Sequence, residues 1–291
     1  TEIASAREAY DAQARYGIDT LFNPRSPQRV VGTRDVTGPD AMHGTHVAGI
    51  IGALRGDGAA MQGIAPNVEI MAVRAVPDGD ERDVDVARAI RYAVDNGAQI
   101  VNMSFGKGFS PAKASVDSAV RYAEAKGVLL VHAAGNEGAD NDDTPSYPTP
   151  VLSGGSRATN WIEVGASSWK PLAALPAEFS NYGRAQVDLF APGVDILSTV
   201  PDGGLKRESG TSMAAPVVSG VAALLMAYFP ELSALQVRDI VLESVRKLPD
   251  LEVRRPGDGA TVKFTTLSRT GGVVDAYAAV KLALQRVAPR P

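Results

Sequence analysis

Three polar residues of this 291-residue chain stand where the surrounding sequence would present them for chemistry. Ser212, in ESGTSMAAPVVSG, opens an apolar helical pattern, so its backbone N–H lies at the positive end of a helix, where an oxyanion is stabilised. His43 begins HGTHVAGI, and Asn136 follows the apolar run VLLVHAAG within AAGNEG. A hydroxyl nucleophile, an imidazole base and an amide donor are the groups that acyl transfer requires.

Each residue also has a structural interpretation. Ser212 could be a helix N-cap, the commoner role of serine before a helix, and Asn136 could be a turn residue that tolerates a left-handed backbone. His43 and His46 could share a zinc ion in a metal-dependent hydrolase. Further ligands are scarce, because the chain has no cysteine and the third histidine, His132, lies in an apolar run typical of a core residue.

The elements that must position these residues alternate between strand and helix. Apolar runs predict buried strands at 68–76, 99–106 and 128–135, and helical periodicity predicts helices at 84–97 and 114–127. Nearly continuous apolar strands require a sheet covered on both faces. We therefore predict an α/β fold with a doubly wound, mainly parallel sheet flanked by helices on both faces, and chemistry at the carboxyl ends of the strands.

The remaining elements are predicted in the same way. A helix is expected over HGTHVAGIIGAL, and a long helix begins near Ser212. Further strands are predicted at 161–168, 185–193 and 195–200, and further helices at 233–247 and 273–286.

Composition excludes several classes of function. A net charge of −4 with mixed signs gives no basic surface for nucleic acid. The sequence contains no run of about 18 apolar residues, which is the length that would predict a transmembrane segment. The absence of cysteine excludes disulfides and thiolate zinc sites.

The motifs together resemble the subtilisin-like serine peptidases, the subtilases. HGTHVAGI is similar to the histidine motif of that family, SFG (104–106) and AAGNEG to its substrate-pocket and oxyanion segments, and GTSMAAPVVSG to its serine motif. The motifs occur in the family's order, and the resemblance extends from residue 40 to residue 285. It implies a subtilisin-like fold and a serine endopeptidase that hydrolyses peptide bonds of polypeptide substrates through an acyl-enzyme.

The resemblance also implies roles for individual residues. His43 would be the general base, Ser212 the nucleophile, and Asn136 would form the oxyanion hole with the Ser212 N–H, leaving His46 as a packing residue. The substrate pocket would be formed by Ser104, Phe105, Gly106, Ala134 and Gly135.

Charged residues near this pocket leave alternatives open. Lys107 and Glu137 could bias its preference or be solvated. The acidic loop 77–85, with Asp78, Asp80, Glu81, Asp83 and Asp85, could bind calcium, favour basic substrates or be solvated, with Asp83 capping the next helix.

No cofactor is required for the implied chemistry. Subtilases often hold structural calcium, and the loop RGDGAAMQG (55–63) offers oxygen ligands from Asp57 and Gln62. The resemblance also implies a secreted or periplasmic protein.

The aspartate of the triad has no convincing candidate. The family's aspartate ends a buried apolar strand and is followed by a small residue and glycine. Asp19 follows a helical pattern and precedes Thr20, Leu21 and Phe22, whereas Asp35 follows an arginine and stands close to His43. We therefore predict that the triad aspartate is not in this chain.

This prediction determines the expected domain organisation. Residues 1–40 would be the tail of an insertion before the catalytic histidine, and residues 41–291 the peptidase domain without its central first strand. An N-terminal fragment of the same precursor would supply the aspartate strand. The alternative is a non-catalytic subtilase-like module that lacks its aspartate.

Overall fold

The structure is a computed structural model that describes residues 36–38, 40–54, 56, 60–76 and 81–287. Asp19, Asp35, Asp57, Asp78 and Asp80 lie outside the described residues. The same holds for most of the segment 1–40, so the prediction that it is the tail of an insertion remains a prediction.

A mainly parallel sheet of six strands forms the centre of the described structure. Four longer strands make up most of it: β1 (Ile100–Met103), β2 (Leu129–Ala133), β3 (Trp161–Ser167) and β4 (Leu189–Pro192). Two short strands complete it: β7 (Arg246–Lys247) and β10 (Gly272–Val273). The order is β1-β2-β3-β4-β10-β7, and every neighbouring pair is parallel except β10 with β7. The predicted fold class is confirmed.

Helices cover both faces of this sheet. Their bounds are α1 (Met42–Gly52), α2 (Asp83–Asp95), α3 (Lys113–Ala125), α4 (Thr211–Tyr228), α5 (Ala234–Glu243) and α6 (Ala276–Val287). Strand β2 shows why the strands are apolar throughout: Leu129 and Val131 pack into the cluster that contains α4, whereas Leu130 packs with α2 and α3 on the other face.

Helix α4 is the central helix of the described structure. It packs against β1, β2, β3 and β4 and also contacts α1, α5 and α6. Its length and apolar composition would allow it to cross a membrane, but it is a core helix of which 61% is buried.

The part of the chain beyond β4 contains strands that sequence patterns did not predict. Hairpin β5–β6 (Ile196–Val200 and Gly204–Glu208) includes one predicted strand, but hairpin β8–β9 (Glu252–Arg254 and Thr261–Lys263) was not expected. The predicted helices 233–247 and 273–286 are shorter at one end, because their outer residues form β7 and β10.

One predicted strand is absent from the described structure. Residues 68–76 form no strand, and the apolar side chains of Ile70 and Met71 remain 46% and 41% exposed. The prediction of a buried strand there was wrong for a physical reason: an extended segment becomes a strand only by pairing, and no described strand lies beside it. Strand β1 is correspondingly the edge of the sheet, and within the described ranges it pairs with β2 alone.

The open edge of β1 makes a prediction for hydrogen exchange. Leu129 N–H donates to the Gln99 carbonyl, so by the alternation of a parallel ladder the Val101 and Met103 amides face β2. The Ile100 and Asn102 amides therefore face outward. In amide exchange monitored by NMR, we expect these two to exchange about tenfold faster or more than their neighbours. Equal protection of all four would show that the edge is covered.

Candidate functional site

Ser212 is held at the amino end of α4, close to the carboxyl ends of β1 and β2. The N-cap is Gly210, with no side-chain capping bond, so Ser212 is not the N-cap. As the second residue of the helix, Ser212 has a backbone N–H that precedes the first intrahelical hydrogen bond and lies at the positive end of the dipole. Its partly exposed position makes both the hydroxyl and this N–H accessible.

Two hydrogen bonds join Ser212 to the end of β1. The Ser104 hydroxyl donates to the Ser212 carbonyl at 2.8 Å, and the Ser212 hydroxyl donates to the Ser104 carbonyl at 3.2 Å. Ser104 follows β1 directly, so these bonds fix the nucleophile candidate against the edge strand. The Ser104 side chain therefore helps to hold Ser212 in place. The sequence did not indicate this contact.

The side-chain amide of Asn136 is oriented by Thr211. The Thr211 backbone N–H donates to Asn136 Oδ1 at 2.8 Å, and the Thr211 hydroxyl donates to the same oxygen at 3.0 Å. Because Oδ1 accepts both bonds, the Asn136 Nδ2 donors are directed away from Thr211. Thr211 is 1% exposed, so its geometry is set by packing.

The loop that carries Asn136 is held by two buried asparagines. Asn141 Nδ2 and Asn181 Nδ2 both donate to the Ala134 carbonyl, at 2.8 and 3.1 Å. Gly135 has a φ of 109°, which favours glycine, and a side chain there would collide with Asn181. The AAGN sequence is thus required by the close approach of this loop to its support.

Ser212 and Asn136 meet at one cavity of about 260 Å³, whereas His43 is not among the residues that line it. It is lined by Glu81, Phe105, Gly106, Ala133, Gly135, Asn136, Glu137, Thr211 and Ser212. Phe105, Gly106 and Gly135 lie on its wall. Ser104 and Ala134 are behind the wall, where they position Ser212 and the asparagine loop.

Charges beside the cavity are distributed unevenly. Lys107 forms a largely buried ion pair with Asp83 at 2.8 Å and is not on the cavity wall, whereas the acidic residues Glu81 and Glu137 are among those that line it. Asp83 is the first residue of α2 rather than its cap, since the N-cap is Arg82. Its other contact is the Ala112 N–H at 2.6 Å, so the capping role suggested for Asp83 was wrong.

His43 is the second residue of α1, and its helix is fastened to hairpin β5–β6. The hydroxyls of Ser198 and Thr199 donate to the carbonyls of His46 and Thr45 at 2.7 and 3.1 Å. Any side chain on Gly49 would strike both hydroxyls, so glycine permits this close packing. Hairpin β5–β6 ends at Glu208, just before α4, and this connection places α1 next to the start of α4.

The environment of His43 favours its neutral form. Partial burial, followed by the nearby His46, lowers the pKa of His43, while Glu208 and Asp40 oppose that shift. Asp40 lies just before Ala41, the N-cap of α1, and accepts from the Met42 N–H at 2.8 Å. In the part of the chain that the structure describes, the Ser212 hydroxyl bonds to Ser104 and forms no hydrogen bond with His43.

The other two histidines are core residues, as predicted. His46 is fully buried, and its Nε2–H donates to the Lys206 carbonyl at 3.0 Å. His132 is also fully buried and pairs through Nδ1 with Glu163 at 2.9 Å. Among the described residues, no three His, Cys, Asp or Glu side chains are grouped closely enough to hold a metal ion, which leaves the zinc interpretation without a ligand set.

The family follows from comparison of the sequence with known proteins. The sequence model of the Subtilase family matches residues 19–263. This chain belongs to the subtilase family. The predicted resemblance is confirmed, and the match includes the segments that carry His43, Asn136 and Ser212.

The sequence is also similar to those of individual subtilases. The chain is 36% identical over 240 residues to alkaline elastase YaB of Bacillus sp. (strain YaB), covering 82% of this chain and 55% of that protein. It is 44% identical over 186 residues to the thermophilic serine proteinase of Bacillus sp. (strain AK1), covering 63% of this chain and 42% of that protein. The chain thus spans about half the length of these relatives.

A solved structure shows the same fold. It is the protease domain of PatA, in a serine-to-alanine mutant, with a TM-score of 0.67 and 33% identity. The match covers 86% of this chain and 83% of that one.

The lowered pKa of His43 can be measured directly. With only three histidines, of which two are fully buried, its ring resonances can be followed by NMR titration. We expect His43 to titrate below about 6.5, the ordinary value for histidine. Glu208→Gln removes a charge that raises this pKa, so it should lower the value further. An upward shift in that variant would contradict the assigned cause.

Proposed function

We propose that this chain carries the nucleophile, base and oxyanion groups of a serine endopeptidase that cleaves polypeptides. The observation that carries the proposal is the convergence of Ser212 and Asn136 on one cavity beside the Phe105–Gly106 wall. Family membership and the positive helix end behind Ser212 support the same function. The activity would be hydrolysis of a peptide bond through an acyl-enzyme.

The reaction begins with transfer of the Ser212 proton to His43. The hydroxyl rotates from the Ser104 carbonyl toward the imidazole, and Oγ attacks the carbonyl carbon of the substrate. The developing oxyanion accepts hydrogen bonds from the Ser212 N–H and Asn136 Nδ2. His43 then protonates the leaving amine, the C–N bond breaks, and water repeats the sequence on the ester to release the acid.

The electrostatics suit this cycle at neutral pH. A base must be unprotonated to accept the Ser212 proton, and the lowered pKa keeps His43 neutral. Asn136 is oriented in advance by Thr211, so its donors need no reorganisation when charge develops. In a subtilisin, loss of the corresponding donor reduces turnover by about 10² to 10³, a magnitude that we adopt for Asn136.

The triad aspartate, in this proposal, lies on a strand outside this chain. In the described part of the chain β1 has one unpaired edge, which could accept one more parallel strand, and the apolar side chains of residues 70 and 71 are exposed. A strand parallel to β1 would end beside Ser104, at the same edge as Ser212. An N-terminal fragment of the same precursor would be the source of this strand.

The substrates, location and processing of the protein are inferred from its family. We infer polypeptide substrates and a secreted or periplasmic location, with autoprocessing before His43 as the origin of the separate fragment. The chemistry requires no cofactor. Structural calcium at the 55–63 loop remains a prediction, because Asp57 lies outside the described residues.

One observation favours a second function. The Ser212 hydroxyl donates its hydrogen bond to Ser104 rather than to His43. This arrangement is the one expected of a non-catalytic module. A triad without its aspartate loses about four orders of magnitude in rate. The chain alone could then act only as a binding module.

A fluorophosphonate probe distinguishes these functions. The natural active protein should be labelled rapidly at Ser212, located by peptide mass spectrometry, and Ser212→Ala and His43→Ala should abolish labelling. Chain 1–291 alone, correctly folded, should react about 10³-fold more slowly or less because the aspartate is missing.

The other outcomes are equally informative. Rapid labelling of the isolated chain would refute the external aspartate while preserving the serine mechanism. No labelling of either preparation would refute the peptidase and favour the binding module.

A further inference from the structure

The carbonyl of Ser212 occupies an unusual position in α4. In a regular α-helix it would accept the N–H of Pro216, but proline has no N–H to donate. The Ser212 carbonyl is therefore left without its regular partner inside the helix. The structure instead satisfies the Ser212 carbonyl from outside the helix, through the Ser104 hydroxyl at 2.8 Å.

The Ser104 hydroxyl is itself held by a series of hydrogen-bonded polar side chains, of which Ser104 and Ser219 are buried and Asn102 is partly buried. Asn102 Nδ2 lies 2.9 Å from Ser104 Oγ, and the Ser219 hydroxyl lies 2.8 Å from Asn102 Oδ1. Ser219 and Ser104 are 2% and 8% exposed, so water does not readily replace these partners. This series of hydrogen bonds leads back to α4, because Ser219 is on the same helix as Ser212.

The donor and acceptor of every hydrogen bond in this series of side chains are determined. The Ser212 carbonyl can only accept, so the single proton of Ser104 must point to it. Ser104 Oγ must then accept from Asn102, which turns Nδ2 toward Ser104 and Oδ1 toward Ser219. Ser219 consequently donates. Proline at 216 makes the carbonyl available, and the three side chains satisfy it in one arrangement.

We infer that Asn102 and Ser219 are positioning residues for the nucleophile. Neither lines the cavity. Through Ser104 they fix the first turn of α4, and with it both the Ser212 hydroxyl and the Ser212 N–H. The role in turnover rests on the proposed function; the positioning of the carbonyl does not.

The test uses two substitutions with little change in volume. Asn102→Asp replaces the donor to Ser104 with an acceptor, so the Ser104 proton is drawn to Asp and leaves the Ser212 carbonyl. Ser219→Ala removes the donor that orients Asn102. Ser268→Ala is the matched control, since Ser268 is a 1% exposed serine that accepts from the Gly271 N–H away from the site.

The first measurement is independent of activity. The carbonyl carbon of Ser212, detected by NMR through the Met213 amide, reports its hydrogen bond. We expect an upfield shift in Asn102→Asp and Ser219→Ala, and none in Ser268→Ala. An unchanged resonance in both folded variants would overturn the inference.

The second measurement concerns catalysis in the natural active protein. Ser219→Ala should reduce kcat by about tenfold with KM nearly unchanged, and Asn102→Asp should reduce it further, whereas Ser268→Ala should change thermal stability only. Ser219→Thr, which keeps the hydroxyl, should restore kcat relative to Ser219→Ala. A fall in kcat that simply follows the loss of stability across all variants would overturn the positioning role. If the unsubstituted protein lacks activity, the proposed function fails, and the carbonyl resonance still tests this inference.

Discussion

The placement of the first turn of α4 is the constraint on which the site depends. Thr211 and Ser212 are contacted from two loops at the carboxyl ends of neighbouring parallel strands: Ser104 after β1, and Asn136 after β2. Hairpin β5–β6 ends shortly before the same turn and is hydrogen-bonded to α1, the helix that carries His43. Parallel strands make this convergence natural, because their carboxyl ends share one edge of the sheet.

The described sheet has an open edge at β1. A parallel sheet is stable when its strands are paired and covered, yet β1 presents one edge without a described partner, and the apolar side chains of residues 70 and 71 are exposed. Asn102 belongs to this edge through its backbone and to the Ser212 network through its side chain. A strand added beside β1 would therefore pair with the backbone of Asn102, the residue whose side chain belongs to the hydrogen-bond network of Ser212.

Much of the fold could be predicted from sequence because periodicity reports burial. The runs around Leu130 and Ile162 are almost continuously apolar, interrupted only by the paired His132 and Glu163, which is typical of strands covered on both faces. Helices α2 and α3, which precede these strands, show a clear helical period. Residues 68–76 were predicted as a strand for the same reason, but apolar character records only that a segment is meant to be buried. Whether it forms a strand depends on a neighbour.

The site was predictable in part. His43, Asn136 and Ser212 stand in motifs, whereas Asn102 and Ser219 acquire their role from contacts between residues far apart in the chain. The sequence signal for Thr211 was its place beside Ser212. Nothing in the sequence indicates that Glu163 pairs with His132.

The most direct test of the account is the intact mass of the polypeptides in the natural active protein, measured after denaturation. The account predicts that residues 1–291 are accompanied by an aspartate-bearing segment, as a separate fragment or as an upstream extension of the same chain. An active protein composed of residues 1–291 alone would contradict it.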